Sequence, residues 1–446
     1  MNIINKVKDL DRKLDCFITV DEKSKPLCEG KLSGYTVSVK DCFCTNGLRT
    51  TAGSKILENY IPLFDATVVE KVKNEGGLII GKTAMDEFGF GTFSANCAYK
   101  IPKNPWDLNR SCGGSSGGAG CISAVLEKHI AVAESTGGSI SAPASFTGTV
   151  GITPTYGRCS RWGLLAYANS LDKPGIIAGN VKDAALGLSI IAGYDEKDST
   201  SINEKVPDYT KSCRTNLKGI KIGIPKEYLS EGIDEKVKSH FYKAVETLES
   251  LGAKTEKVSL PMTKYALSSY YIIAVSEAST NLAKYCGIRY GATLPLKGNF
   301  DEFASKVRTK YFGEEAKRRI MLGTFTRMSG YRDAYYLKAM KIRQMIIDDF
   351  KKAFKKVDVL ASPTMPVIAP RFDEISKLTP LQNWAMDILT VAPNLAGIPM
   401  ISVPCGFADN MPVGLHIIGN HLDESKLIHT AYAYEQKANL NRGAEI

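Results

Sequence analysis

Short apolar runs alternate with amphipathic stretches along most of this chain. Ile3, Ile4, Val7, Leu10 and Leu14 recur at helical spacing, so the chain is expected to open on an amphipathic helix. Residues 33–43 predict a strand, with alternation through Tyr35-Thr36-Val37-Ser38-Val39 that ends at Lys40-Asp41. A helix is expected over 65–75, where Val68, Val69 and Val72 share a face, and Leu78-Ile79-Ile80 reads as a short buried strand. The small residues from Ser116 to about Leu126 predict a helix. Ile130 to Glu134 predicts a strand, and 140–146 a short helix.

The second half continues the alternation. Residues 220–224 and 254–260 read as strands around a helix from about Asp234 to Leu251, with Gly252 at its C-terminal cap. Residues 303–357 are strongly helical and charged, and Val357 to Leu360 reads as a strand. Met400 to Val403 and Val413 to Ile418 flank a Gly/Asp/Asn turn and predict a hairpin. Alternating strands and helices imply an α/β protein with a large, partly parallel sheet. No repeat, low-complexity tract or linker divides the chain, so 1–446 is expected to be one domain.

Composition excludes several classes. The 44% hydrophobic and 23% charged content suits a large core without metal or disulfides. A net charge of +10 is mild at 446 residues, and the densest basic group, around Lys351-Lys352 and Lys355-Lys356, reads as a solvated helix face. Eleven cysteines are scattered without zinc-site spacing, which fits free thiols in a reducing cytoplasm. No apolar run is long enough for a membrane span, and the acidic residues Asp9, Asp11 and Asp15 argue against a signal peptide. His129, before a strand, reads as a helix-end or surface residue. Gly76-Gly77-Leu78-Ile79-Ile80-Gly81-Lys82-Thr83 fits a phosphate-binding loop letter for letter. It reads as a chance match, because its apolar centre is itself the strand candidate.

Two glycine-flanked serines carry the chemistry. Gly113-Gly114-Ser115-Ser116-Gly117-Gly118 is followed by Thr136-Gly137-Gly138-Ser139, which places Ser115 and Ser139 24 residues apart. Glycine leaves backbone N–H groups uncovered, so a serine among them can be a nucleophile with an oxyanion site beside it. Such a serine needs a proton acceptor. No histidine has a suitable context. Lys40 closes an apolar strand, where sites of α/β sheets gather, and burial there would favour the neutral amine.

Lys40, the Gly113–Gly118 cluster and the Thr136–Ser139 cluster together resemble the amidase signature family in order and spacing. The resemblance implies that family's fold, a large mixed sheet covered by helices on both faces, with a signature core at about 33–180 and a more helical region at about 260–357. It implies a Ser-Ser-Lys triad in which Ser139 is the nucleophile and Ser115, following a cis Gly114–Ser115 bond, bridges it to Lys40. The backbone N–H groups of Thr136, Gly137, Gly138 and Ser139 would form the oxyanion hole.

Further segments resemble the glutaminase subunits of tRNA-dependent amidotransferases within that family. They include Asp65-Ala66-Thr67-Val68-Val69, Asn104-Pro105-Trp106-Asp107, Arg318-Arg319-Ile320-Met321-Leu322-Gly323 and Asn394-Leu395-Ala396-Gly397-Ile398-Pro399. This likeness implies hydrolysis of free glutamine, with ammonia passed on to amidate a misacylated tRNA. Glutamine's two α-charges call for one cation and one anion. The likeness places the cation in the Arg318-Arg319 pair, at Arg319, the anion at Asp387 and a tyrosine at Tyr270, with Arg318 and Tyr271 as the neighbouring alternatives. The implied partners are amidotransferase subunits B and C, which would meet the tRNA. No cofactor is expected in this chain, with ATP and Mg in the partner subunit. Ser135 and Ser141 depart from the family's usual Asp and Arg, so local rigidity there is expected to differ. The other readings are a stand-alone amidase acting on other small amides and a scaffold subunit without activity, the latter opposed by the presence of Lys40, Ser115 and Ser139.

Overall fold

The computed structural model describes residues 3–230, 232–440 and 444; the remaining positions of the 1–446 span lie outside the described residues. In chain order the first strands are β1 (Phe17–Val20), β2 (Thr36–Lys40) and β3 (Leu78–Thr83). A separate two-stranded ribbon follows, β4 (Lys103–Asn104) with β5 (Asp107–Ser111). The others are β6 (His129–Ser135), β7 (Val150–Thr153), β8 (Lys173–Ala178), β9 (Lys221–Pro225), β10 (Lys254–Val258), β11 (Val359–Pro363), β12 (Met400–Ala408) and β13 (Met411–Gly419). Eleven of them form one sheet in the order β1-β3-β2-β6-β8-β7-β12-β13-β11-β9-β10. The sheet is mixed. Parallel β3-β2-β6 and β11-β9-β10 groups are joined by antiparallel strands between them.

Helices cover both faces. They include α1 (Ile3–Leu14), α2 (Thr67–Asn74), α3 (Gly117–Ser123), α4 (Ser141–Thr147), α5 (Val181–Ile191) and α6 (Glu235–Ser250). Strand β6 shows how its sequence serves two faces at once. Ile130 and Val132 join the core that contains Val181, Ala184 and Leu188 of α5. The alternate residues Ala131 and Ala133 pack with Ala119 of α3 and with Ile140. Small side chains on that second face let the serine-bearing segments lie close to the strand.

The expected 303–357 helical region is three helices, α8 (Phe300–Tyr311), α9 (Glu314–Arg327) and α10 (Lys338–Ala353), preceded by α7 (Ala266–Asn281). Gly313 breaks the run, and its N–H donates to the Glu87 carboxylate at 2.9 Å. Strands β12 and β13 form the expected hairpin, turning through Asp409 and Asn410 at φ of 49° and 60°, the left-handed pair that tight hairpins favour. No helix among the described residues is long and apolar enough to cross a membrane.

Two sequence expectations are settled by local packing. His129 is not a surface residue. It is the first residue of β6, buried, and its ring nitrogens meet Thr36 Oγ1 at 2.8 Å and Ser38 Oγ at 3.0 Å. Burial lowers its pKa to about 3, so it takes no charge at neutral pH. The phosphate-loop match is β3 itself, as its apolar centre implied. Lys82 is fully buried, donates to Thr50 Oγ1 at 2.9 Å, to Thr45 Oγ1 at 3.1 Å and to the Phe43 carbonyl, and lies 3.9 Å from Asp41. Burial pushes Asp41 up and Lys82 down, and each partly offsets the other's shift. Lys82→Met should cost about 3–5 kcal/mol, because it strands a buried carboxylate. Denaturant unfolding reads this loss, and adding Asp41→Asn should recover part of it.

Candidate active site

Lys40 ends β2 with its side chain fully buried. Its Nζ donates to Ser115 Oγ at 2.7 Å, to the Glu134 carbonyl at 2.9 Å and to Glu134 Oε2 at 2.8 Å. Parallel pairing of β2 with β6 brings the lysine to Glu134. The loop before α3 brings Ser115, across a cis Gly114–Ser115 peptide. Gly113 turns at φ +77°, and a methyl on Gly114 would stand 2.3 Å from Asp86 Oδ2, so neither position accepts a side chain.

The second cluster follows β6 directly. The Ser116 N–H donates to the Ser139 carbonyl at 3.3 Å and Ser116 Oγ to the Glu134 carbonyl at 3.1 Å, which joins the two glycine-rich segments. The backbone N–H groups of Gly137, Gly138 and Ser139 donate to no acceptor among the described residues. Ser139 Oγ likewise makes no hydrogen bond among them, and the residue keeps a small exposure of 6%. An unengaged hydroxyl beside unengaged N–H groups is the arrangement a tetrahedral acyl intermediate needs.

The pocket residues divide into two sets. Tyr270 and Asp387 lie against the 136–139 loop: a methyl on Gly137 would stand 2.7 Å from Tyr270 Oη, and one on Gly138 3.4 Å from Asp387 Oδ1. Arg319, on α9, is 3% exposed. It is surrounded by the faces of Phe90, Tyr167, Tyr271 and Trp384 at 5.1–5.6 Å. It donates from Nε to Glu315 at 2.8 Å and from Nη1 to Tyr167 Oη at 2.5 Å. Its Nη2 has no partner among the described residues and is available to a ligand carboxylate. Arg318 is on the outer side of the helix, paired to Glu315. Of the adjacent tyrosines, Tyr271 bonds Asp387, at 2.7 Å, while its ring lies under Arg319. It therefore links the two charges of the pocket. A cleft of about 410 Å³, lined by Thr92, Glu315, Arg319 and Trp384, opens onto this side, and Thr92 Oγ1 donates to Asp387 at 3.2 Å. Burial raises the Asp387 carboxyl to about 6, with Tyr271, Arg319 and Thr92 opposing.

Sequence reasoning missed Glu134, Asp172 and Glu315, and named Tyr271 only as the alternative to Tyr270. Thr136 Oγ1 donates to Glu134 Oε1 at 2.7 Å and lies 2.9 Å from Asp172 Oδ1. Burial holds the Asp172 carboxyl far above its usual range, and the Glu134 charge adds to this. A signal for Glu134 was present. It is the one charge in the otherwise apolar run from Ile130, and a buried charge must find a partner.

The amidase family model matches residues 18–428, and the chain belongs to the amidase family. Within it, the chain is 46% identical to the A subunit of glutamyl-tRNA(Gln) amidotransferase from Thermoanaerobacter pseudethanolicus, over 98% of this chain and 92% of that protein. It is 48% identical to the corresponding protein of Bacillus pumilus, over 97% and 91%. The crystal structure of the Thermotoga maritima counterpart, which bears the same name, superposes with a TM-score of 0.86 at 40% identity, over 99% of this chain and 91% of that one.

Ser135 and Ser141 lie in buried polar surroundings. Ser135 Oγ is buried without a partner, and Ser141 Oγ is 3.4 Å from His416 Nε2. Lys173 faces Ser135 across the β6–β8 pairing, donating to the Ile398 carbonyl at 3.0 Å. The sequence did not signal this buried lysine. Burial lowers the Lys173 pKa from 10.5 to about 7, with Glu424 opposing. The unfolded chain therefore binds more protons between those values, and this group makes stability rise with pH across that window. The change in Tm caused by Lys173→Met should accordingly be more favourable near about pH 6 than near about pH 10, as read by calorimetry.

Proposed function

We propose that this chain is the glutaminase subunit of a tRNA-dependent amidotransferase, supplying ammonia to convert Glu-tRNA(Gln) to Gln-tRNA(Gln). The observation that carries this reading is the buried Lys40–Ser115 hydrogen bond at 2.7 Å, set beside a nucleophile loop that lies against Tyr270 and Asp387. The near-full-length similarity to proteins named as the A subunit of glutamyl-tRNA(Gln) amidotransferase supports the tRNA-dependent role. Partner subunits B and C would complete the enzyme. The partner, rather than this chain, would hold ATP and Mg and meet the misacylated tRNA, in the cytoplasm where translation runs.

The reading implies acyl transfer in two steps. Glutamine enters with its α-carboxylate toward Arg319 Nη2 and its α-ammonium toward Asp387, which directs the side-chain amide to Ser139. Ser139 gives its proton to Ser115 as Ser115 gives its own to neutral Lys40, and Ser139 Oγ bonds to the amide carbon. The carbonyl oxygen becomes an oxyanion held by the N–H groups of the 136–139 loop. The proton returns along the relay to the nitrogen, the C–N bond breaks and ammonia leaves. Water then releases glutamate by the same relay. A stand-alone amidase on uncharged amides would have no use for both Arg319 and Asp387.

Ser139→Ala should abolish ammonia release from glutamine in the co-purified complex while leaving its circular dichroism unchanged. Retained turnover would refute the proposed nucleophile. Arg319→Met and Asp387→Asn should each raise KM for glutamine by about 10- to 100-fold, with a smaller change in kcat, since each removes one charge-assisted contact. Asp387 must be ionised to bind the ammonium. KM for the unmodified enzyme should therefore rise as pH falls through about 6, and this pH dependence should be absent in Asp387→Asn.

A further inference from the structure

The buried carboxylate on Lys40 is not part of a Ser-Ser-Lys relay. Glu134 Oε2 lies 2.8 Å from Lys40 Nζ, with side-chain exposures of 4% and 0%. Its other oxygen accepts from Thr136 Oγ1, at the start of the nucleophile loop. A methyl at Gly89 would stand 3.6 Å from Ser115 Oγ and 3.8 Å from Glu134 Oε2, so the bridging hydroxyl and the carboxylate border the same small space.

We propose that Glu134 is a positioning residue of the proton relay, the counter-ion that stabilises Lys40 in its proton-loaded form as Ser139 attacks. This rests on the amidase reading above and deepens it. When Ser139 Oγ–H breaks, its proton goes to Ser115 and that of Ser115 to Lys40, so an amine becomes an ammonium in a site closed to solvent. A carboxylate already in place meets the new charge at no cost of reorganisation, and it strengthens as the transition state forms. An aspartate does the same for the imidazolium of a Ser-His-Asp triad.

Other charged groups near the pair are placed differently. Asp86, on the loop after β3, gives its carboxylate to the Ser94 and Asn96 N–H groups at 2.8 and 2.9 Å. Asp172 lies behind Thr136 and accepts the Tyr167 and Ala168 N–H groups. Asp41 and Lys82 face each other. Arg319 is held by Glu315 and Tyr167, and the Cys42 thiol, beside Lys40, is pushed up by burial. Among the described residues, Glu134 alone forms an ion pair with Lys40.

The test measures kcat at saturating glutamine against pH in the co-purified complex, so that Asp387, acting through KM, does not obscure the result. Glu134→Gln keeps the shape and removes the charge. Its acid limb should move to lower pH by about one unit or more, because the ammonium loses its counter-ion. Its plateau should fall by about 10- to 100-fold. Glu134→Asp, which draws the charge back without removing it, should move the limb in the same direction by less, and it serves if the glutamine variant does not fold. An acid limb that stays in place overturns the proposal, even if the plateau falls, since a scaffold role would lower activity at every pH alike. Ser139→Ala is assayed in parallel. Turnover in that variant would refute the amidase reading itself, whereas an inactive Ser139→Ala beside an unshifted Glu134→Gln would refute the role of Glu134 alone.

Discussion

The site depends on one buried amine and the three hydrogen bonds it donates. Lys40 Nζ reaches Ser115, the Glu134 carbonyl and the Glu134 carboxylate, and these belong to a loop and a strand far apart in sequence. These three contacts tie the amine to both segments at once. Register between β2 and β6 must be correct for this to occur. A slip of one residue would turn Lys40 to the opposite face of the sheet. The parallel β3-β2-β6 group thus serves the chemistry as much as the fold.

Much of this was legible in the sequence, for identifiable reasons. The strand ending at Lys40, the strand from Ile130 and the Asp/Asn turn between β12 and β13 follow from period-two patterning and from residues that accept positive φ. The family likeness rested on small residues packed so tightly that alternatives do not fit, as at Gly114 against Asp86. Other features were hidden because they arise between elements. His129 looked peripheral until β2 supplied Thr36 and Ser38 as its partners. Tyr271 could not be ranked against Tyr270 by spacing alone, because adjacent residues of α7 face different neighbours.

Glu134 shows the opposite failure. A charge in an apolar strand was visible, but the expectation for Lys40 was drawn from burial alone. The structure adds what burial alone does not show: the amine meets a carboxylate at 2.8 Å.

The glycines of the nucleophile loop touch the pocket wall without a spacer. Gly137 is against Tyr270, and Gly138 against Thr390 and Asp387. Recognition and reactivity therefore share a single surface. A mutation that enlarges this wall for a bulkier amide withdraws support from the loop that aims Ser139, so new substrates must be accommodated from the α9 side, around Arg319. On this geometry, drift in substrate range has one open direction, and the tightest-packed part of the pocket is the part least free to evolve.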